Sequence, residues 1–388
     1  MKIIRSILDK IEPVFTKGGL LEKLHPVYDA TDTILFSTNE KTESGPHIRD
    51  SIDNKRVMIL VVIALLPLYI FGAINIGFQA AGTDRSVMEN FWIGMSSILP
   101  ILLTAFIAGG FWEILFAVIR KHPINEGFLV TWVLIPLIMP PTIPLWQVAV
   151  ATSFGVVIGK EIFGGVGMNI FNPALVARAF IFFAYPGQIS GDKVWINVDG
   201  ISGATALSVP AAVENGNAVD LLSNITQFDF SWSNMFWGNI PGSIGETNKF
   251  LIILGALFLI YVGIVNWRVI VGALIGLFGT AVFTNIMAPY SSNTMLTLPA
   301  HYHLVMGGFL FGVAFMATEP VTGAHTDKGR WIYGMMIGFL TVIIRTMNPA
   351  YPEGTMLAIL LMNAFAPLID YYIVRGNIKR RLKRYAAE

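Results

Sequence analysis

Ten apolar stretches, at 57–76, 91–119, 124–139, 145–162, 172–185, 250–265, 269–287, 303–318, 331–346 and 354–374, take up much of this 388-residue chain. Roughly 20 apolar residues in a helix match the hydrocarbon thickness of a bilayer, and inside a bilayer each backbone polar group must find its partner within the protein. That requirement favours helices, and no convincing strand pattern competes with them. With 54% hydrophobic and 13% charged residues and a mean hydropathy of +0.63, the chain is too apolar for a soluble domain of its length. The expected fold is an all-α polytopic membrane protein with about ten transmembrane helices. The third, fifth and eighth stretches are short for a full crossing, so broken or partial helices are expected there.

Basic residues orient the spans. With the N-terminus in the cytoplasm, that side collects the Lys and Arg before residue 57, then Arg120, Lys121, Lys160, Arg268, Lys328 and Arg330. It also receives Arg375, Lys379, Arg380, Arg381, Lys383 and Arg384 of the tail. The other side has only Arg85, Lys193, Lys249 and Arg345, while Arg178 lies within a span. Such an excess predicts both termini in the cytoplasm and residues 186–249 on the external or periplasmic face. A net charge of +1 conceals this polarity. The basic tail reads as a lipid-facing anchor, and nucleic-acid binding is the weaker reading because no basic folded domain accompanies it. At the other end, Ile3, Ile4, Ile7, Leu8 and Ile11 recur at helical spacing with charges between them, which predicts an amphipathic surface helix over 1–15 rather than a cleaved leader.

The polar interval holds Asp199-Gly-Ile-Ser202-Gly203-Ala-Thr205. The Thr hydroxyl has only small neighbours, and the glycines permit close backbone approach by a modifying enzyme or a phosphate. Taken locally, the segment is also an ordinary turn. It is similar to the acceptor motif of flavin transferases, which attach FMN to Thr through a phosphoester; Asp199 would position a metal or the incoming group. Cysteine is absent. Without it this chain cannot hold an iron–sulfur cluster, a thiolate nucleophile or a c-type haem, so a redox role needs an organic cofactor or a His-ligated metal. His301 and His303 are two apart and face different sides of a helix, which weakens a haem or metal site.

Asn172-Pro173-Ala174 recurs as Asn348-Pro349-Ala350, 176 positions later. The same offset carries the second, third and fourth spans close to the seventh, eighth and ninth. Two copies of five helices follow, and because five is odd the second copy inserts upside down: two inverted five-helix repeats. The expected units are a cytoplasmic segment over 1–55, the first repeat over 56–185, an external loop over 186–249, the second repeat over 250–374 and the basic tail 375–388. Inverted repeats bind ligands near the midplane at helix interruptions. Gly164-Gly165-Val-Gly167-Met-Asn169-Ile-Phe-Asn172-Pro173 has that character. Its amides and helix N-terminus would suit the polar edge of a flavin ring, and Asn172 is equally an N-cap.

Glu113 and Asp370 lie within spans. An intramembrane carboxylate is a functional candidate, and hard oxygen donors suit Na⁺; the competing reading is pairing with Lys or Arg near the interface. Glu161 and Glu319 read as capping or loop charges. Phe180, Phe182, Phe183 and Tyr185 read as packing and interface anchors rather than an electron path.

Longer motifs carry a family resemblance over essentially the whole chain. These include Gly109-Gly110-Phe-Trp-Glu113, Asn125-Glu-Gly-Phe128, Phe171-Asn-Pro-Ala-Leu175, Ser202-Gly-Ala-Thr205, Gly238-Asn-Ile-Pro-Gly-Ser-Ile-Gly-Glu246 and Asn348-Pro-Ala-Tyr-Pro-Glu-Gly354. The sequence resembles the B subunits of bacterial sodium-translocating NADH:quinone reductases. The resemblance implies a protein of the bacterial inner membrane with covalent FMN on periplasmic Thr205, the segment of Asp199, Ser202 and Gly203 around it, and noncovalent riboflavin beside Asn169 and Asn172. It further implies ubiquinone beside Gly109 and Gly110, Na⁺ as the transported ion, and the A, C, D, E and F subunits as partners. Electrons would enter at the NADH-oxidising F subunit and arrive through the FMN of the C subunit. The alternative is the D subunit of the Rnf ferredoxin:NAD oxidoreductase complex, against which stand the long N-terminal extension and the Ser-Gly-Ala-Thr spelling. A transporter or channel without redox activity could use the same repeat.

Overall fold

A computed structural model of the chain describes residues 2–16, 19–36, 45, 54–81, 85–122, 124, 127–189, 195, 205–225, 228–348 and 352–386. Among them there is no β-strand, only an isolated bridge between Glu214 and Asn293. Helix α1 (Lys2–Phe15) turns Ile4, Ile7, Ile11 and Val14 outward in one stripe and buries Leu8. It is tied to α2 (His25–Leu35) by the Arg5–Asp32 ion pair at 2.7 Å and by the Tyr28 hydroxyl, which donates to the Leu8 carbonyl at 3.3 Å. Helix α2 in turn packs on the first long helical hairpin.

The apolar stretches form α3 (Asn54–Ala81), α4 (Val87–Arg120), α5 (Phe128–Leu137), α6 (Leu145–Gly159), α7 (Pro173–Ala184), α8 (Lys249–Val262), α9 (Trp267–Met287), α10 (Asp327–Met347) and α11 (Thr355–Tyr385). Among the described residues five segments are long and apolar enough to cross a membrane: Asn54–Ala80, Val87–Arg120, Leu145–Phe163, Trp267–Tyr290 and Thr355–Tyr385. This is a membrane protein. Helices α5 and α7 are short, as their stretches predict, and α8 is short as well. The eighth stretch is broken into Ala300–Val305, Phe309–Phe311 and a π turn over Gly312–Met316. Polar caps fix the starts: Ser86 and Glu89 form a capping box on α4, and Asn172, Asn248, Asn266 and Thr326 cap α7 to α10. The basic tail is a continuation of α11 without a break.

Small residues set the crossings. Gly272 and Gly276 of α9 face Gly334 and Gly338 of α10, and a Cβ at Gly338 would collide with the Ala273 carbonyl while one at Gly276 would collide with that of Met335. Gly77 and Gly94 play the same part between α3 and α4, and Gly155 between α6 and α7. In a bilayer, where apolar burial drives little association between helices, such backbone proximity is how packing energy is gained. The order of packed neighbours α4, α6, α7 in the first half has its counterpart α9, α10, α11 in the second. One difference separates the halves: α3 lies along α4, whereas α8 packs mainly on α3 and the broken eighth helix.

The described residues 205–225 and 228–248 are not a structureless loop. Three short helices, Ser208–Ala211, Ala218–Ser223 and Trp232–Trp237, build a small second core around Ala206, Leu207, Leu222, Phe230 and Met235. Val305 and Met306, at the end of a broken-helix segment, complete it and join it to the membrane part.

Candidate cofactor-binding sites

Two polar sites lie at opposite ends of α7 and α8. Helix α8 has 14 residues, and at ~1.5 Å per residue it separates them by ~20 Å.

The first is a cavity of about 280 Å³ that contains Thr205 in its wall. The Thr205 hydroxyl is half-buried, 3.4 Å from Ser208 Oγ, and held in place because Ala206 and Leu207 are locked in the second core. Asp199, Ser202 and Gly203 lie outside the described residues. The lining of the same cavity includes a buried charge network. Arg178, well inside α7, pairs with Glu246 and, at 2.7 Å, with Glu353, so one guanidinium joins the first half of the chain to segments entering α8 and α11. Burial pushes the Glu246 carboxyl above its ordinary range, against the pull of Arg178. Lys249 donates to the carbonyl oxygens of Glu246 and, at 2.9 Å, Gly307.

Arg345 closes the network from behind. It donates to the carbonyls of His303 (2.6 Å), Met306 (3.0 Å) and Glu353 (3.0 Å), which satisfies the interrupted end of Ala300–Val305. The break needs glycine: Gly307 has φ +63°, and a Cβ on Gly308 would overlap the Glu246 carboxylate. Thr247, 3% exposed and also in the cavity wall, has a buried hydroxyl without a hydrogen-bond partner.

The second site is a narrower cavity of about 70 Å³ that brings Asn169, Asn172, Lys160 and Glu319 together. Positive φ at Gly164, Gly165 and Gly167 turns the chain sharply before α7, as three closely spaced glycines predict. Asn172 takes the N-cap role and also ties to the far half of the chain. Its Oδ1 accepts from the N–H groups of Ala174 (3.0 Å) and Leu175 (3.2 Å) as the N-cap, and its Nδ2 donates to Glu319 at 2.9 Å. Thr322 donates to the same carboxylate oxygen at 2.9 Å, and Asn169 also reaches it. Burial raises Glu319 to about 7, with the Thr322, Asn172 and Asn169 hydrogen bonds and Lys160 opposing it.

Beside this site Lys160 pairs with Glu113 and lies 3.6 Å from Glu161, which Arg120 also engages at 3.0 Å. Glu161 and Glu319 are therefore parts of interior networks, not loop charges. The pairing alternative is the one Glu113 adopts. Asp370 instead accepts from the backbone N–H groups of His325 (2.6 Å) and Thr326 (3.0 Å), pinning the start of α10. Among the described residues no group of three His, Cys, Asp or Glu is arranged to hold a metal. Gly109 lies one turn before Glu113 and, with Gly110, seats the Phe128 ring; a Cβ at Gly109 would come within 2.8 Å of Phe128 Cε2. Sequence reasoning passed over Arg178, Glu246, Lys249, Thr247, Glu353 and Arg345 as site residues. A charge at Arg178, inside an apolar span, was the available signal.

The sequence pattern of the NQR2, RnfD, RnfE family matches residues 41–379. The chain belongs to this family. It is 48% identical to the B subunit of the Na(+)-translocating NADH-quinone reductase of Klebsiella pneumoniae (strain 342), over 98% of this chain and 99% of that protein. To the protein of the same name from Chromohalobacter salexigens it is 49% identical, over 99% and 97% of the two chains, and to that of Pseudomonas paraeruginosa 47%, over 98% and 99%.

Proposed function

We propose that this chain is the membrane-embedded B subunit of a respiratory sodium-translocating NADH:quinone reductase in a bacterial inner membrane, working with the A, C, D, E and F subunits. Its near-full-length relatives bear that name. The observation that carries the reading to specific residues is Thr205 on the wall of a cavity of about 280 Å³ that buried cations also line. That donor set fits an anionic, phosphate-linked aromatic group. Covalent FMN there, and noncovalent riboflavin at Asn169 and Asn172, would supply one-electron carriage that side chains lacking Cys cannot.

The chain's own residues hold and polarise. Thr205 Oγ is the anchor, with Asp199, Ser202 and Gly203 as the proposed segment around it. Asn172 and Asn169 present amides at the second site, and Glu319 fixes their orientation. Gly109 and Gly110, which seat the Phe128 ring, are the residues proposed to lie beside ubiquinone. Glu113 and Asp370 are the carboxylates proposed to meet Na⁺. Two inverted five-helix repeats are the proposed architecture, supported by the matching neighbour order in the halves. The Rnf D subunit shares the family, yet the high-identity relatives cited above are quinone-reductase subunits.

The test is the intact complex purified from a native host with and without Thr205→Val. In-gel flavin fluorescence of the denatured chain should be present in the parent and absent in the variant, with sodium-stimulated quinone reduction lost alongside. An unmodified intact mass for the parent chain removes the FMN assignment. In the same preparation Glu113→Gln and Asp370→Asn should weaken sodium stimulation more than flavin content, and unchanged sodium dependence in both removes their Na⁺ role.

A further inference from the structure

The segment Pro241-Gly-Ser-Ile-Gly-Glu246-Thr247 has no role in anchoring at Thr205, yet it forms part of the wall of the same cavity. It is held rigidly. Ile244 and Gly245 donate backbone hydrogen bonds to the carbonyls of Met139 (3.2 Å) and Leu137 (2.7 Å), and a Cβ on Gly245 would come within 2.7 Å of the Leu137 side chain. A loop pinned this way aims its side chains with little freedom. Glu246 goes to Arg178, and the Thr247 hydroxyl is left buried at the cavity with nothing to bond. A buried hydroxyl without a partner costs ~1–3 kcal/mol, so its retention at a cavity wall points to a partner supplied by a ligand. Arg178 lines the same cavity, its charge shared between two carboxylates that come from different segments.

We propose that Thr247 and Arg178 form the recognition edge of this cavity: they bond and polarise the electron-rich edge of the conjugated heterocycle tethered at Thr205, and favour its reduced form. The inference rests on the flavin reading of Thr205 and adds residues to that site. With the ring bound, the Arg178 guanidinium would partly offset the negative charge of its reduced form, the electron being supplied by the NADH-fed complex. Glu246 and Glu353 hold the guanidinium in place and temper its charge; they are positioning residues.

Thr247→Val keeps the shape and removes the hydroxyl, and Arg178→Lys keeps the charge while losing the two-pronged geometry. Both are to be made in the full complex, with covalent flavin read by fluorescence of the denatured chain and the midpoint potential of that flavin read by spectroelectrochemical titration. Both variants should retain the covalent flavin and lose about tenfold in preference for the reduced form, which for a one-electron couple is ~59 mV toward more negative potential. A preference that stays within twofold of the parent in Thr247→Val, ~18 mV in midpoint potential for a one-electron couple, with the flavin retained, overturns the proposal even if Arg178→Lys fails to assemble. Absence of covalent flavin from the parent chain overturns the reading at Thr205 and this proposal with it, so the two failures are told apart by the fluorescence measurement.

Discussion

Glu319 is pulled two ways. Enclosure at the second site disfavours its charge, while Thr322, Asn172, Asn169 and the nearby Lys160 favour it; burial wins and the carboxyl sits at about 7 against an ordinary 4.5. A folded-state value above the unfolded one stabilises the protein fully below the unfolded value, and that contribution is lost as pH rises through about 7. At ~1.4 kcal/mol per unit, the amount at stake is ~3 kcal/mol at most. Glu319→Gln keeps an oxygen to accept from Asn172 and Thr322 and has no proton to lose. Its melting temperature in detergent should therefore rise relative to the parent between pH 5.5 and pH 8, and an identical pH dependence in the two proteins refutes the assignment. Nothing in the local sequence announces this. The run Thr318-Glu-Pro-Val-Thr-Gly323 has the composition of a loop, and its carboxylate becomes interior only because the other half of the chain delivers Asn172. By contrast Asn172 itself was legible, since an Asn before Pro at the head of an apolar run is a local capping signal.

At the level of elements, hydropathy finds the helices and is silent on how they cross. The chain has 37 glycines, and sequence spacing alone does not tell a crossing point from a break. Gly279 and Gly338 illustrate the difference. Both are in helix interiors, but a Cβ at Gly279 meets nothing within 4 Å, whereas one at Gly338 strikes the Ala273 carbonyl and comes within 2.5 Å of the Leu277 nitrogen. Gly338→Ala must push α9 and α10 apart, with an overpacking cost of ~1–3 kcal/mol. Gly279→Ala should be neutral or stabilising by up to ~1 kcal/mol, from helix propensity alone. Thermal melts of the two variants in one detergent check this, and equal melting temperatures would show that the crossing is not set by backbone contact. Length predicts a broken or partial helix at the eighth stretch but not where it breaks; the interruption at Gly307 and Gly308 is intelligible once Arg345, Lys249 and Glu246 are seen at its two ends.

Across the whole molecule, orientation rests on counting loop cations, and the fold revises which ones count. Lys160, Lys249 and Arg345 are each no more than 1% exposed and are committed to interior partners, so they do not report on a loop's side of the membrane. Removing Lys160 takes one charge from the cytoplasmic group, and removing Lys249 and Arg345 takes half of the four outside. The asymmetry sharpens, and with it the expectation that Thr205 faces outward while the end of α11 faces the cytoplasm. The absence of Cys makes this directly measurable. Ser223 is exposed, in the short-helix region built on the same second core as Ala206 and Leu207, and Lys379 is exposed on the last turns of α11. In intact cells with a permeable outer membrane, a membrane-impermeant maleimide should label Ser223→Cys at once and Lys379→Cys only after the inner membrane is opened. The reverse pattern would invert the molecule and put Thr205 beyond the reach of an exported flavin transferase; labelling of both from outside would place the two ends of the fold on one side and remove the odd helix count that makes the repeats inverted.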